Sequence, residues 1–176
     1  MPPTSAYVVV FAVALATTAA VTPLCRAVAQ RLSIMAPVTD RAVHSRPVAY
    51  LGGVAMLVGF LVAFGVAWTM TGFAPVFETA SVPLGVALGA VVLCGVGTLD
   101  DVRDVSAPAK TAGVVLAGSV MYALGVSLLY FRVPVFDTLF VLGPDLAPLI
   151  SVLWVLGMAN AVNLIDGLDG LAAGII

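Results

Sequence analysis

Long apolar segments dominate this sequence and limit the folds that it can adopt. A helix needs about 20 apolar residues to cross the hydrocarbon core of a bilayer. Five segments reach that length, at residues 5–25, 50–71, 82–99, 110–130 and 146–165. Hydrophobic residues make up 62% of the sequence and charged residues only 9%, whereas soluble domains carry about 25% charged residues. The sequence therefore predicts an all-α fold, a polytopic transmembrane helix bundle with about five spans.

Composition also excludes several classes of protein. No soluble linker separates the spans, so residues 1–176 are predicted to form a single membrane domain. The first span has no basic residue before it, which favours a retained helix over a signal peptide. Cys25 and Cys94 fall inside apolar runs and indicate no disulfide framework. The seven Lys and Arg residues are scattered, so no nucleic-acid partner is expected.

The distribution of charge between the connections predicts the topology. Six of the seven basic residues lie on one side of the predicted bundle and only Arg132 lies on the other. The positive-inside rule makes the basic side cytoplasmic and leaves the N-terminus outside the cell membrane. Residues 132–142 contain several residues with strand propensity, and a short external hairpin is predicted there.

A row of polar residues follows the last predicted span. Asn160, Asn163, Asp166 and Asp169 recur at every third position, and on a helix such positions are neighbours. Four polar groups at the end of an apolar segment are costly unless they bind something. The alternative is a helix end that emerges into water, but a cap requires one such residue and not four.

A pair of adjacent carboxylates, Asp100 and Asp101, lies at the end of the third predicted span. On a helix the two side chains point about 100° apart, so one can lie near a metal and the other near a nucleophile. Their repulsion favours cation binding or protonation of one of them. The alternative is a solvated loop that Arg103 neutralises. Lys110 could return to the same site or mark the membrane interface by snorkelling.

The loop after the first span carries His44, the only histidine, with Arg41 and Arg46. A lone histidine is more often structural than catalytic, and the arginines could be topology markers. Gly52-Gly53 would allow close approach of backbone or ligand, although helix packing explains them nearly as well.

All three polar clusters are predicted to face the same compartment. Six of the nine carboxylates lie on the basic side. They are Asp40, Asp100, Asp101, Asp104, Asp166 and Asp169. A site of acids, amides and a few cations at the membrane surface suits a divalent metal with a phosphorylated ligand.

Together these residues resemble the polyprenyl-phosphate N-acetylhexosamine-1-phosphate transferases. The segment from Asn160 to Gly174 is similar to the family signature almost letter for letter. Asp100-Asp101 with Lys110, and the loop from Arg41 through His44 to Gly53, match two further family motifs. Leu164-Ile165-Asp166 resembles the branch that transfers GlcNAc-1-phosphate more than the muramoyl-pentapeptide branch.

The resemblance implies a Mg²⁺-dependent transfer, with Mn²⁺ as the alternative metal. A UDP-N-acetylhexosamine would donate its sugar-1-phosphate to undecaprenyl or another polyprenyl phosphate and release UMP, as the first membrane step of a cell-envelope glycan. The implied roles are catalysis for Asp100 and Asp101, metal binding for Asn163, and substrate binding for Lys110, Asp166, Asp169, His44 and Arg46. Which of the two adjacent carboxylates acts as the base stays open, and a homodimer is compatible with the resemblance.

The chain departs from the family pattern in three respects. Ala42 stands where a basic residue is frequent, and Ala49-Tyr50 replaces a frequent Pro-Arg, which weakens the expected hold on one phosphate. The family has about twice as many spans and a further metal-binding Asp in a later segment. We therefore expect this chain to be a fragment that is inactive alone. The alternatives are a transporter or channel with an intramembrane acidic site, which would place charges near span midpoints, and a non-catalytic membrane remnant.

Overall fold

The computed structural model describes residues 2–36, 48–103, 105–133 and 138–165, and within these ranges the chain is mainly helical. In chain order the elements are α1 (Thr4–Arg31), β1 (Met35–Ala36), β2 (Val48–Ala49), α2 (Gly52–Thr69), a 3₁₀ turn (Thr71–Phe73), α3 (Ala74–Phe77), α4 (Ser81–Arg103), α5 (Ala107–Ala123), β3 (Tyr130–Val133), β4 (Thr138–Val141) and α6 (Ala147–Ile165). Among the described residues, the four helices α1, α2, α4 and α6 are long and apolar enough to cross a membrane. The prediction of an all-α polytopic membrane bundle is confirmed.

The fourth predicted span was wrong in extent. Its helix, α5, ends at Ala123 after 17 residues, which is about 25 Å at 1.5 Å per residue. Gly125 adopts a left-handed φ of 94°. The amides of Gly125 and Val126 donate to the carbonyls of Tyr122 and Met121, both at 2.9 Å. This is a Schellman motif, which glycine favours because it has no Cβ, and it stops the helix although the apolar run continues.

The chain beyond α5 is extended and is tied to α6. The backbone N–H of Leu128 donates to Oγ of Ser151 at 2.8 Å, and Ser151 is a buried polar residue. Strands β3 and β4 then pair in antiparallel register, with Tyr130 opposite Val141 and Val133 opposite Thr138. The predicted hairpin is confirmed.

Two helices extend further than predicted at the polar end of the molecule. Helix α1 continues past Cys25 to Arg31 and stops where Ser33 adopts a φ of 57°, so that the amide of Ile34 returns to the carbonyl of Ala29 at 2.8 Å. Helix α4 likewise continues to Arg103. The two adjacent carboxylates therefore lie on a helix and not in a loop.

Small residues allow the helices to pack closely. Helix α1 packs mainly on α2, α4 on α5 and α5 on α6, and α2 also contacts α4. The buried positions of α2 recur every fourth residue, at Ala55, Gly59, Ala63 and Ala67. A Cβ at Gly59 would overlap the hydroxyl of Thr18. Such small-residue interfaces replace the hydrophobic drive that helices lack in lipid.

The two ends of the bundle differ in character. Aromatic rings gather where α1 begins and α2 ends: Tyr7 meets Phe73 edge-on at 5.1 Å between centroids, and Trp68 lies 4.8 Å from Phe77. Aromatic side chains of this kind are typical of a membrane–water interface. The opposite end collects the start of α2, the end of α4, the start of α5 and the end of α6, and it carries the polar groups.

Candidate active site

Helix α5 follows α4 after a short connection and returns Lys110 to the adjacent carboxylates. Helix α5 begins at Ala107 after the N-cap Ser106 and has a proline in its first turn, where the missing N–H costs nothing. The first helical hydrogen bond runs from the amide of Lys110 to the carbonyl of Ser106 at 3.0 Å. One turn into α5, the Lys110 side chain therefore lies beside the last turns of α4.

Lys110 and Asp100 form an ion pair. Lys110 Nζ donates to Asp100 Oδ2 at 2.6 Å, and the two side chains are 35% and 26% exposed. Of the two interpretations left open by the sequence, the return of Lys110 to the carboxylates is the one found. The alternative, a solvated loop that Arg103 neutralises, is not what the structure shows for Asp100, whose partner is Lys110.

Asp101 points to a different neighbour. Its Oδ2 accepts a long hydrogen bond of 3.4 Å from the backbone N–H of Leu51, the residue that caps α2 in a left-handed conformation with a φ of 72°. The two carboxylates thus diverge, as expected for adjacent helical residues, and Asp101 faces the N-terminus of α2, whose partial positive charge favours an anion.

The end of α6 completes the site. One cavity of about 350 Å³ is lined by Asp100, Asp101 and Lys110 together with Asn160 and Asn163. Asn160 Nδ2 donates to the carbonyl of Leu156 within its own helix at 2.8 Å. The consecutive helices α4 and α5 and the later helix α6 therefore place two carboxylates, one ammonium group and two amides around a single cavity.

The other predicted site residues lie outside the described residues. They are His44, Arg46, Asp166 and Asp169. Their predicted roles remain predictions. Within the described ranges, Asp100, Asp101, Lys110 and Asn163 are brought together.

Two residues at this site were missed by the sequence analysis. Leu51 contributes a backbone N–H, which any residue except proline could supply, so the sequence does not reveal it. The neighbouring Gly52-Gly53 was the one signal near this position. Thr111 lines the cavity and follows Lys110 directly, but a threonine in a helix is too common to be noticed.

The donor set fits a hard cation. Among the described residues, no three His, Cys, Asp or Glu side chains cluster as a metal site. The residues that line the cavity nevertheless include the carboxylates Asp100 and Asp101 and the amide Asn163. Carboxylate and amide oxygens are the ligands that Mg²⁺ accepts, usually with several waters retained.

The family profile described as Glycosyl transferase family 4 matches residues 83–176, which include the whole of the described site except Leu51. The chain belongs to glycosyl transferase family 4. The family resemblance stated from the motifs is confirmed, and the chain is an integral membrane member of this transferase family.

Curated relatives agree with this assignment. The chain is 34% identical over 168 residues, 96% of its length and 44% of the relative, to a "Probable undecaprenyl-phosphate N-acetylglucosaminyl 1-phosphate transferase" of Bacillus subtilis. It is 35% identical over 156 residues, 88% of its length and 39% of the relative, to the "Decaprenyl-phosphate N-acetylglucosaminephosphotransferase" of Mycobacterium leprae. A "Phospho-N-acetylmuramoyl-pentapeptide-transferase" of Streptomyces avermitilis is 33% identical over 141 residues, 70% of the chain and 38% of the relative. The chain spans less than half the length of these relatives. No solved structure matches it significantly.

Proposed function

We propose that the complete protein containing this chain transfers GlcNAc-1-phosphate from UDP-GlcNAc to undecaprenyl phosphate. An oxygen of the lipid phosphate attacks the phosphorus that carries the sugar. The bond from that phosphorus to the bridging oxygen of UMP breaks, and UMP leaves. The names of the Bacillus and Mycobacterium relatives support the choice of sugar and of lipid class.

One observation carries the proposal. Asp100, Asp101, Lys110 and Asn163 come from three helices and line one cavity at the polar end of a membrane bundle. A lipid phosphate reaches a protein from the headgroup level of the bilayer, and a nucleotide reaches it from water. The ends of the membrane-spanning helices are where both can meet.

Electrostatics is the main obstacle to this reaction because both reactants are anions. Lys110 is positioned to stabilise charge that develops on the diphosphate, since its ammonium group already lies in the cavity. Its pairing with Asp100 at 2.6 Å holds the long side chain in place before substrate binds. Preorganised charges of this kind are usually the largest single contribution to catalysis.

Asp101 has a different proposed task. Its hydrogen bond to Leu51 leaves the other carboxylate oxygen available to the cavity and orients the group. Asp101 can therefore position the acceptor phosphate or accept its proton, while Asp100 is engaged with Lys110. This division of labour follows from the divergent directions of the two side chains.

Mg²⁺ is the proposed cofactor, with Asn163 as a ligand and the adjacent carboxylates as further oxygen donors. When bound, the ion would screen the negative charge of the two phosphates. His44, Arg46, Asp166 and Asp169 are proposed to contact the nucleotide or the phosphates, on family resemblance alone.

The active site is proposed to face the cytoplasm, because the basic residues concentrate at this end. The alternative of a transporter with an acidic ion site expects charges near the midpoints of spans. Asp100 and Asp101 instead lie in the last turn of α4, which favours an interfacial enzyme.

The test is a radiolabel assay on membranes that contain the complete gene product. Transfer of label from UDP-GlcNAc to added undecaprenyl phosphate and release of UMP are measured with and without Mg²⁺. Asp100→Asn and Asp101→Asn are expected to abolish transfer. Glu78→Gln is the matched control, because Glu78 is an exposed carboxylate at the opposite end of the bundle. Unchanged turnover in both aspartate variants would contradict the site assignment.

A further inference from the structure

A second cavity lies between the end of α1 and the start of α2. It has a volume of about 320 Å³ and is lined by Thr22, Arg26 and Gln30 of α1 and by Tyr50 and Gly52 at the start of α2. Among the described residues that line it there is no carboxylate, and none of them lines the candidate active-site cavity. It is a separate cavity, here called the polar cavity, with one cation and several polar side chains in a wall that is otherwise apolar.

The length of α1 places this cavity at the headgroup level of the bilayer. Helix α1 has 28 residues, which corresponds to about 42 Å, whereas the hydrocarbon core is about 30 Å thick. If the aromatic end lies at one interface, the last turns of α1 emerge at the other. Arg26 is an exposed residue of these turns.

An apolar groove follows the same two helices through the membrane. It has a volume of about 540 Å³ and is lined by Tyr7, Phe11 and Leu15 of α1 and by Met56 and Phe60 of α2, among others. Its walls are almost entirely hydrocarbon and aromatic, and they suit an acyl chain.

The groove leads towards the polar cavity. Thr18 lines the groove and Thr22 lines the cavity, and on α2 Met56 lines the groove and Gly52 the cavity. In both helices these positions are four residues apart, so they lie one above the other on one face. The α1–α2 seam therefore presents an apolar track that ends in a polar cavity.

We propose that this seam binds one anionic phospholipid from the surrounding bilayer, with its phosphate in the cavity and one acyl chain in the groove. The guanidinium of Arg26 matches the phosphate charge. Basic pockets between membrane helices at the headgroup level are a recognised setting for such lipids. The lipid is a bound partner of the protein and not its acceptor substrate, because Asp100, Lys110 and Asn163 line the other cavity.

The experiment compares lipids retained by the purified protein. The complete gene product is reconstituted in vesicles of phosphatidylcholine mixed with phosphatidylglycerol, extracted in mild detergent, and analysed for bound lipid by native mass spectrometry. Phosphatidylglycerol is expected to be retained in preference to phosphatidylcholine. Arg26→Gln should lower that preference about fivefold, the effect of one basic residue near an anionic lipid.

Two further variants make the test specific. Arg31→Gln removes a neighbouring cation in the last turn of α1 that does not line the cavity, and it should leave retention unchanged. Gln30→Glu adds a carboxylate to the cavity wall without a change of size, and it should lower retention as Arg26→Gln does.

Three results would overturn the proposal. The first is equal retention of the two phospholipids, and the second is an Arg26→Gln protein that retains phosphatidylglycerol like the parent. The third comes from a competition arm: if equimolar undecaprenyl phosphate displaces phosphatidylglycerol, and the displacement is lost in Arg26→Gln, the seam binds the acceptor lipid instead.

Discussion

The ammonium nitrogen of Lys110 lies 2.6 Å from Oδ2 of Asp100, ten residues earlier in the chain. The pair links the end of α4 to the start of α5 and fixes a cation in the wall of the candidate active-site cavity. Because both side chains retain about a third of their exposure, water screens the attraction, and the pair is expected to contribute at most about 1 kcal/mol to stability.

Substitution of Lys110 should therefore separate activity from stability. Lys110→Gln is expected to lower transfer of GlcNAc-1-phosphate by about 10²-fold or more, the effect of removing one preorganised group that stabilises developing charge. The melting temperature in detergent should change little. Arg103→Gln, which removes a nearby cation outside the cavity, serves as control and should retain activity. A Lys110→Gln protein with normal turnover would show that the ion pair is only structural.

The two asparagines of α6 should differ in their effect on the metal requirement. Asn160 already donates its amide nitrogen to the carbonyl of Leu156, whereas Asn163 is one turn closer to the end of the helix and is the proposed ligand. Asn163→Ala is expected to raise the Mg²⁺ concentration for half-maximal activity by about tenfold or more. Asn160→Ala should raise it less. The reverse order would reassign the ligand.

Leu51 is strained, and relief of that strain should stabilise the protein. A left-handed conformation costs a residue with a side chain about 1–2 kcal/mol. Glycine avoids this cost, but its greater freedom in the unfolded state offsets part of the gain in stability. Leu51→Gly should therefore raise the free energy of unfolding by about 0.5–1 kcal/mol. It also retains the backbone N–H that donates a hydrogen bond to Asp101. The measurement is thermal unfolding in detergent followed by circular dichroism.

Two variants of Leu51 and its neighbourhood control for this interpretation. Leu51→Pro removes the N–H and cannot adopt a φ of 72°, so it should lose both stability and activity. Leu57→Gly, in the interior of α2, should be destabilising because it removes a side chain and a good helix former. A destabilised Leu51→Gly protein would mean that the side chain of Leu51 outweighs its backbone strain.

Gly59 should be the glycine of α2 that tolerates alanine least. A Cβ there would overlap the Thr18 hydroxyl and lie 3.0 Å from the carbonyl oxygen of Ala14. Gly59→Ala is expected to cost about 1–3 kcal/mol because α1 and α2 must move apart. Gly65→Ala is the matched control, since a Cβ there meets nothing within 4 Å, and it should be neutral or slightly stabilising. Equal stability of the two variants would argue against close packing of α1 on α2.

Much of the fold could be predicted because it depends on local chemistry. Membrane spans follow from apolar length, and the hairpin at residues 130–141 follows from strand propensity. The fourth predicted span extended too far because apolar composition does not show where a helix ends. Two backbone hydrogen bonds at Gly125 and Val126 end α5, although the apolar sequence continues. The length of α1 was underestimated because the polar residues after Cys25 still form a helix when they face water.

The amino-acid sequence alone was enough to establish that this chain is a membrane bundle, which family it resembles, and which polar residues border its spans. Those properties depend on composition, periodicity and motif, which the order of residues carries directly. The three-dimensional arrangement was needed to show that Lys110 pairs with Asp100, that the backbone N–H of Leu51 donates to Asp101, and that Asn163 lines the same cavity. The first relationship joins the consecutive helices α4 and α5, and the other two join helices that are far apart in the chain. All three depend on how closely small residues let those helices approach.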